Sequence, residues 1–213
     1  MDVLREGILS LTFRPGERLD VKALAEQLGV SPTPVKDAVN RLAAEGLIEI
    51  HPRSGTFVAE INPVMVGEIF DIRRAIECLA AETIVERLTP ETLAHFRELT
   101  EQLNRPVTSE AGRIAHEQAN LALHELIVKS SGNQRLLELY RNLNAHLTIA
   151  RIHSRRRPEP HRIAAELSEH QELLEALESR DAARLVRVLG DHIRRAGHDL
   201  VEDLRHALPG EQG

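Results

Sequence analysis

Three histidines stand where a packed helix would ordinarily carry leucine. His170 falls in the series Ile163, Leu167, His170, Leu174, Leu177, and His192 in the series Leu185, Leu189, His192, Ala196, Leu200, both at helical spacing. His124 shares a helix face with Asn120, four residues earlier, and lies beside Leu123 and Ile127. An imidazole on a buried stripe must satisfy two ring nitrogens, and leaving them dry and unpaired costs free energy. Two arrangements meet that demand. Either these are three separate core histidines, each hydrogen-bonded locally, or the rings converge from three helices on one divalent ion. Such an ion with an activated water would also suit a metal-dependent hydrolase or lyase. That enzyme reading lacks a general base, because Glu125 and Glu169 directly follow His124 and precede His170 and are expected to point off those faces.

Arg73 is the other residue with chemistry to offer. Ile69, Ile72, Ile76 and Leu79/Ala80 trace the expected buried side of a long helix, and Arg73 sits just beside that stripe. It either flanks the helix and pairs with Glu77, one turn on, or reaches inward as an anion clamp. His146 has a choice of the same kind, between lining an interior cavity and lying at the surface.

The elements that must position these residues follow from punctuation. Val3 to Leu11 reads as a short helix and Arg14-Pro15-Gly16 as a turn. Val21, Leu24, Ala25 and Leu28 keep helical spacing up to Gly29. Ser31 is expected to cap the next helix, with Pro32 at its first position and Val35, Ala38, Val39 and Leu42 facing inward. Leu47 to Ile50 and Thr56 to Ala59 flank the turn His51 to Gly55 and read as a hairpin. Beyond Asn62-Pro63 the pattern is helical, broken at Thr89-Pro90, Arg105-Pro106, Ser130 to Asn133, Arg157 to Pro160 and Ser179 to Asp181. The predicted fold is therefore mostly α: an N-terminal winged helix-turn-helix over residues 1–62, then an all-α antiparallel bundle of about six helices over residues 63–208.

Composition bounds what such a chain can do. Its 213 residues carry 27 Lys and Arg against 33 Asp and Glu, a net charge of -6, which excludes a broadly basic nucleic-acid protein but not a locally aimed surface. No tail concentrates charge: residues 1–60, 61–150 and 151–213 carry -2, -3 and -1. The run Arg151, Arg155, Arg156, Arg157 and Arg162, opposed by Glu159, reads as a charged helix end beside a proline-bounded loop. One cysteine, no tryptophan and one tyrosine point to a reducing compartment and an aliphatic core, and argue against base stacking. Neither a membrane span nor a secretory leader is expected, and the expected location is cytoplasmic.

Two short helices joined by a tight turn and followed by a hairpin are the parts of a DNA reader. The opening of the second helix presents small polar groups and free N–H donors to a major groove, through Ser31, Thr33 and Lys36, with Arg41 further along. Arg53, Gly55 and Thr56 fall at the wing tip, placed for the backbone or minor groove. A small protein–protein module is the alternative.

A resemblance adds to this reading. Arg14 to Leu19, Leu24 to Ser31, Thr33 to Val35, Ala38-Val39, Arg41-Leu42, Glu45 to Ile48 and Ser54 to Val58 closely resemble the N-terminal domain of GntR-type bacterial transcription regulators. Pro32 and Lys36 stand where that family usually has arginine, which puts the usual operator preference in question; lysine keeps the charge without the bidentate fork. Asn120 to His124, Ser131 to Asn133, Ser168 to His170 with Leu174 to Leu177, and Asp191 to Ile193 resemble the FCD-type helical domain of the FadR-like branch. The resemblance implies a repressor that is not an enzyme, a homodimer on a palindromic double-stranded operator, and a small carboxylate effector. It implies a divalent ion, zinc first with nickel or manganese as alternatives, held by Asn120, His124, His170 and His192. The family's aspartate is Asn120 here, so a metal-free helical domain is the alternative. The segment Phe70 to Glu77 resembles the stretch whose first arginine points at the effector, which makes Arg73 the carboxylate clamp with His146 as a weaker second.

Overall fold

A computed structural model describes residues 2–10, 12–60, 62–154 and 160–207, with side chains described at all of these except 2, 9, 110, 144–149, 151–154, 160, 161 and 207. The chain forms two compact units. One comprises residues up to 66 with 142–155 and those from 200 onward; the other comprises residues 67–141 and 156–199.

In the first unit, α1 (Asp2–Leu9) is followed by β1 (Arg18–Leu19), α2 (Val21–Gln27), α3 (Pro32–Ala44), β2 (Ile48–His51) and β3 (Gly55–Val58). The strands form an antiparallel sheet in the order β1-β3-β2, with Arg18 opposite Phe57 and Ile48 opposite Val58. β1 is an addition to the expected hairpin. Two residues are too short to show alternation, and the strand exists because β3 offers its free edge; the Val58 amide donates to the Glu17 carbonyl at 2.9 Å. The Asp20 carboxylate caps α2 by accepting from the Lys22 and Ala23 amides at 2.9 and 3.2 Å. Ser31 occupies the corresponding position of α3, but its side chain makes no capping bond. Pro32 and Pro34 leave the first turn short of N–H donors, so little is left there to cap. Gly29, at φ 65, makes the left-handed turn between α2 and α3, where the Val30 amide returns to the Ala25 carbonyl. Leu24, Val35, Val39, Leu42, Leu47 and Val58 are buried together.

From residue 63 onward the described residues form six helices: α4 (Pro63–Arg87), α5 (Pro90–Leu103), α6 (Glu110–Ser130), α7 (Gln134–Ser154), α8 (Pro160–Glu178) and α9 (Ala182–Ala207). The chain is therefore mostly helical, a small winged module followed by helices. Thr89, Ser109, Asn133 and Asp181 start four of the helices with side-chain caps, each accepting a backbone N–H at 2.9–3.2 Å. In the second unit α5 packs on α6 and α8, and the buried apolar side chains described there are aliphatic apart from Phe96, Phe70 and Tyr140.

The expected stripe of α4 needs correcting. Ile69, Ile76 and Ala80 are buried, but Ile72 and Leu79 are 49% and 51% exposed. The inward positions between them are Arg73 and Glu77, at 1% and 0% exposure. The helix turns a buried ion pair toward the core where apolar spacing suggested isoleucine and leucine.

Candidate functional site

The buried face of α4 supplies the first layer of the site. Arg73 donates from Nε to Glu77 Oε1, and Glu77 Oε2 in turn faces His124 Nδ1 at 2.6 Å. Burial pushes the Glu77 carboxyl up, against the pull of the Arg73 guanidinium; an arginine stays charged regardless. Tyr140, fully buried on α7, interacts with both members of the pair.

A matching layer comes from α8 and α9. Glu169 Oε2 lies 2.7 Å from His192 Nδ1, and Arg195 grips the same carboxylate with two bonds, Nε to Oε1 at 2.7 Å and Nη2 to Oε2 at 2.5 Å. Burial alone would raise Glu169, and the hydrogen bonds from His192 and Arg195 overcome it and bring the carboxyl down to about 2. Each of these two histidines therefore has its Nδ1 on a carboxylate, and that carboxylate has its own arginine. This is the second-layer arrangement that fixes an imidazole's tautomer and orientation for ligation through Nε2.

The two relays meet. His124 Nε2 and His192 Nε2 are 3.1 Å apart. Two nitrogens bound to one ion at about 2.0–2.1 Å would be separated by about 2.9–3.4 Å for bond angles between square and tetrahedral. His170 completes the group, with ring centroids 5.8 Å from His124 and 4.7 Å from His192. One ligand nitrogen from each ring lies within 4.8 Å of the others. His170 is fully buried, and neither of its ring nitrogens has a hydrogen-bond partner among the described residues. Burial first, then the neighbouring His192 and His124, holds its pKa well below the ordinary histidine value, so it is neutral and able to donate a lone pair. Asn120 Oδ1, one turn before His124, is also buried without a hydrogen-bond partner among the described residues. Three converging imidazoles, one of them with both ring nitrogens unpartnered among the described residues, fit a divalent cation, and nitrogen donors suit zinc or nickel better than calcium or magnesium.

His116 and Glu166 lie one turn before Asn120 and His170 on their respective helices. His116 Nε2 is 3.7 Å from Glu166 Oε1. That contact raises the His116 pKa despite burial. Burial would lift Glu166; His116 and the nearby His170 hold it down instead.

Sequence reading brings His124, His170, His192, Asn120 and Arg73 to attention; the three imidazoles converge, Arg73 reaches them through Glu77, and Asn120 is buried one turn before His124. The same reading overlooked the carboxylates. Glu169 was expected to point off the His170 face, and it does leave that ring, but it reaches His192 on the neighbouring helix. Glu125 faces outward to Arg141. Glu77 stood out only as a partner for Arg73, and the available signal was the conflict between its charge and the helix period. His146 lies on α7 but its side chain falls outside the described residues, as do those of Arg151 and Arg155 to Arg157. Arg162 of the same run lies 3.9 Å from Asp199.

In the first unit, Ser31, Thr33 and Lys36 are exposed at the opening of α3, and Arg41 is exposed in its last turn. Arg53 takes a left-handed φ of 68 in the turn between β2 and β3. Gly55, at φ 131, opens β3, and a Cβ there would stand 2.8 Å from Arg18 Nε. Thr56 follows, paired with Ile50 and Leu19. Among the described residues no helix is long and apolar enough to cross a membrane.

Comparison with known proteins bears on both units. Residues 1–58 match the family described as bacterial regulatory proteins, gntR family, and residues 68–195 match the FCD domain. The HTH-type transcriptional regulator YdhC of Bacillus subtilis is 28% identical over 205 residues, 96% of this chain and 89% of that one. The HTH-type transcriptional repressor RspR of Escherichia coli is 28% identical over 200 residues, 90% of this chain and 83% of its own. The solved structure of E. coli McbR/YncC matches with a TM-score of 0.76 at 27% identity, over 94% of each chain. These relatives are transcription regulators, not enzymes.

Proposed function

This chain belongs to the GntR family of bacterial DNA-binding transcription regulators, with an FCD domain, and we propose that it is a homodimeric repressor whose hold on a palindromic operator is set by a small carboxylate bound at a divalent ion. The operator is read by residues 1–62, and the ion and carboxylate are held within residues 63–208. The observation that carries the metal reading is His170: a fully buried imidazole with both nitrogens unpartnered, beside two other imidazoles whose Nδ1 atoms are already committed to carboxylates.

His124, His170 and His192 hold the ion with Asn120 at a neutral fourth position, and zinc is the preferred ion, with nickel and manganese next. When bound, the ion supplies positive charge and open positions for an anion. Glu77 and Glu169 orient two of the rings. Arg73 donates to Glu77 through Nε and keeps a buried Nη2 without a partner among the described residues, the donor a carboxylate would meet. On the DNA side, Ser31, Thr33, Lys36 and Arg41 face the major groove from α3, and Arg53, Gly55 and Thr56 meet the backbone from the wing. The location that suits this work is the cytoplasm. Repression is supported by the likeness to RspR, a transcriptional repressor.

An effector shifts DNA affinity only if it binds the competent and incompetent dimers unequally. The test is fluorescence anisotropy with a labelled duplex from the gene's own upstream region. The expected result is binding at least a thousandfold tighter than to a scrambled duplex, changed about fivefold or more when zinc and a carboxylate are both present. Affinity that is indifferent to zinc, nickel and manganese, with and without carboxylates, would remove the sensing function and leave the DNA reader alone.

A further inference from the structure

Helix α3 buries one side and leaves the other bare. Val35, Ala38, Val39 and Leu42 form the buried line. At 3.6 residues per turn, Asn40 and Ala44 fall within about 20° of the line through Thr33, on the opposite side of the helix. All three are exposed. Lys36 lies to one side of that outer line and Arg41 to the other, and both are exposed as well. A helix laid in a major groove turns its flanks toward the two phosphate rails and its outer line toward the base edges. The two cations therefore stand where phosphate would be met, and Asn40 stands between them.

The chemistry of this face narrows the choice of reader. Pro32 and Pro34 have no polar side-chain atom with which to contact a base. The Thr33 hydroxyl is both donor and acceptor and suits more than one base. Ala44 offers a methyl group. Asn40 is the amide on the outer line, with a carbonyl oxygen to accept and an NH2 to donate. Adenine presents the complement in the major groove, an N6 amino group beside the N7 acceptor, and the amide meets both at once. Asp37, exposed beside the same line, carries a negative charge that repels phosphate and keeps the middle of this face off the backbone.

We infer that Asn40 is a specificity-determining residue of the DNA reader, and that it pairs with the major-groove edge of an adenine in each half-site. The inference rests on the operator reading above and adds to it a residue and the base that residue selects.

The experiment uses the full chain and a pool of duplexes with a randomised centre. Repeated selection is expected to enrich one sequence; no enrichment would overturn both the operator reading and this inference. Each adenine of the enriched duplex is then replaced singly by 7-deazaadenine, which lacks the N7 acceptor and keeps the Watson–Crick pair, and affinity is read by anisotropy. The expected result is at least one adenine whose replacement weakens native binding by about fivefold or more, the lower end of what a bidentate pair contributes. In Asn40→Ala the same replacement should change affinity by less than about twofold, while binding to a scrambled duplex stays at the native level. Asn40 is exposed, so this variant leaves the buried side of α3 intact. An enriched duplex with no adenine sensitive to the loss of N7, or a sensitivity that persists in Asn40→Ala, would overturn the inference and leave the operator reading standing. Equal weakening of the enriched and scrambled duplexes by Asn40→Ala would do the same, since it marks a phosphate contact.

Discussion

Glu169 touches His192 through Nδ1, so on the proposed metal reading Glu169→Gln should keep the fold and lower zinc affinity by about 10–100-fold, read by competition with a chromophoric chelator. Glu77→Gln is a harsher change, because it leaves the buried Arg73 guanidinium without its carboxylate; a loss of about 3–5 kcal/mol in denaturant unfolding is expected. pH separates the groups further in metal-free protein. Since His170 is held below its unfolded value, the unfolded chain takes up the proton first, and stability present above about pH 6.5 is lost as pH falls below it. His170→Leu should flatten that stretch of the curve. Glu169 acts lower: its carboxyl is brought down to about 2, so its contribution holds above the unfolded value of about 4.5 and disappears as pH falls through about 2. The inward histidines were legible because three of them interrupt apolar spacing. Arg73 and Glu77 were only half legible, since a buried ion pair on one helix face looks in sequence like an ordinary exposed pair one turn apart. The reach of Glu169 to a different helix could not be read, because it depends on how α8 and α9 are set against each other.

At the scale of elements, caps and close approaches carry the testable content. Asp20→Ala removes the only side-chain cap described on α2 and should cost about 1 kcal/mol, measured by urea unfolding. In the second unit Gly197 of α9 lets Phe70 of α4 come close; a Cβ at 197 would stand 2.8 Å from the Phe70 ring and 2.9 Å from its Cβ. Gly197→Ala should therefore destabilise by about 1–3 kcal/mol through overpacking, even though alanine is the better helix former. Boundaries marked by Pro, Gly, Ser, Asp and Asn were visible in sequence because those residues act locally, and the breaks at Thr89-Pro90 and Ser179 to Asp181 fall between helices as expected. What local signals do not carry is partnership. β1 has no pattern of its own and exists by pairing with β3. Which side of α4 faces inward was misjudged at Ile72 and Leu79, because a helix whose core face holds an arginine and a glutamate has no clean apolar period.

For the whole molecule, the net charge of -6 constrains how the DNA reader works. If the proposed Lys36, Arg41 and Arg53 are the cations that meet phosphate, the logarithm of operator affinity should fall only gently with the logarithm of salt concentration, each neutralised phosphate contributing about 0.9 to the slope. A metal held at the proposed centre would be tied to folding, because an ion that binds the folded chain alone adds about 2.7 kcal/mol when present at about 100 times its dissociation constant. The claim on which the regulatory account turns is that three imidazoles from separate helices share one ion, and cobalt reports this directly. Titrating metal-free protein with Co(II) should saturate at one ion per chain, with visible absorption bands of a nitrogen-ligated site that vanish on addition of zinc and are lost in His170→Leu. No bands, or bands unchanged in His170→Leu, would contradict it.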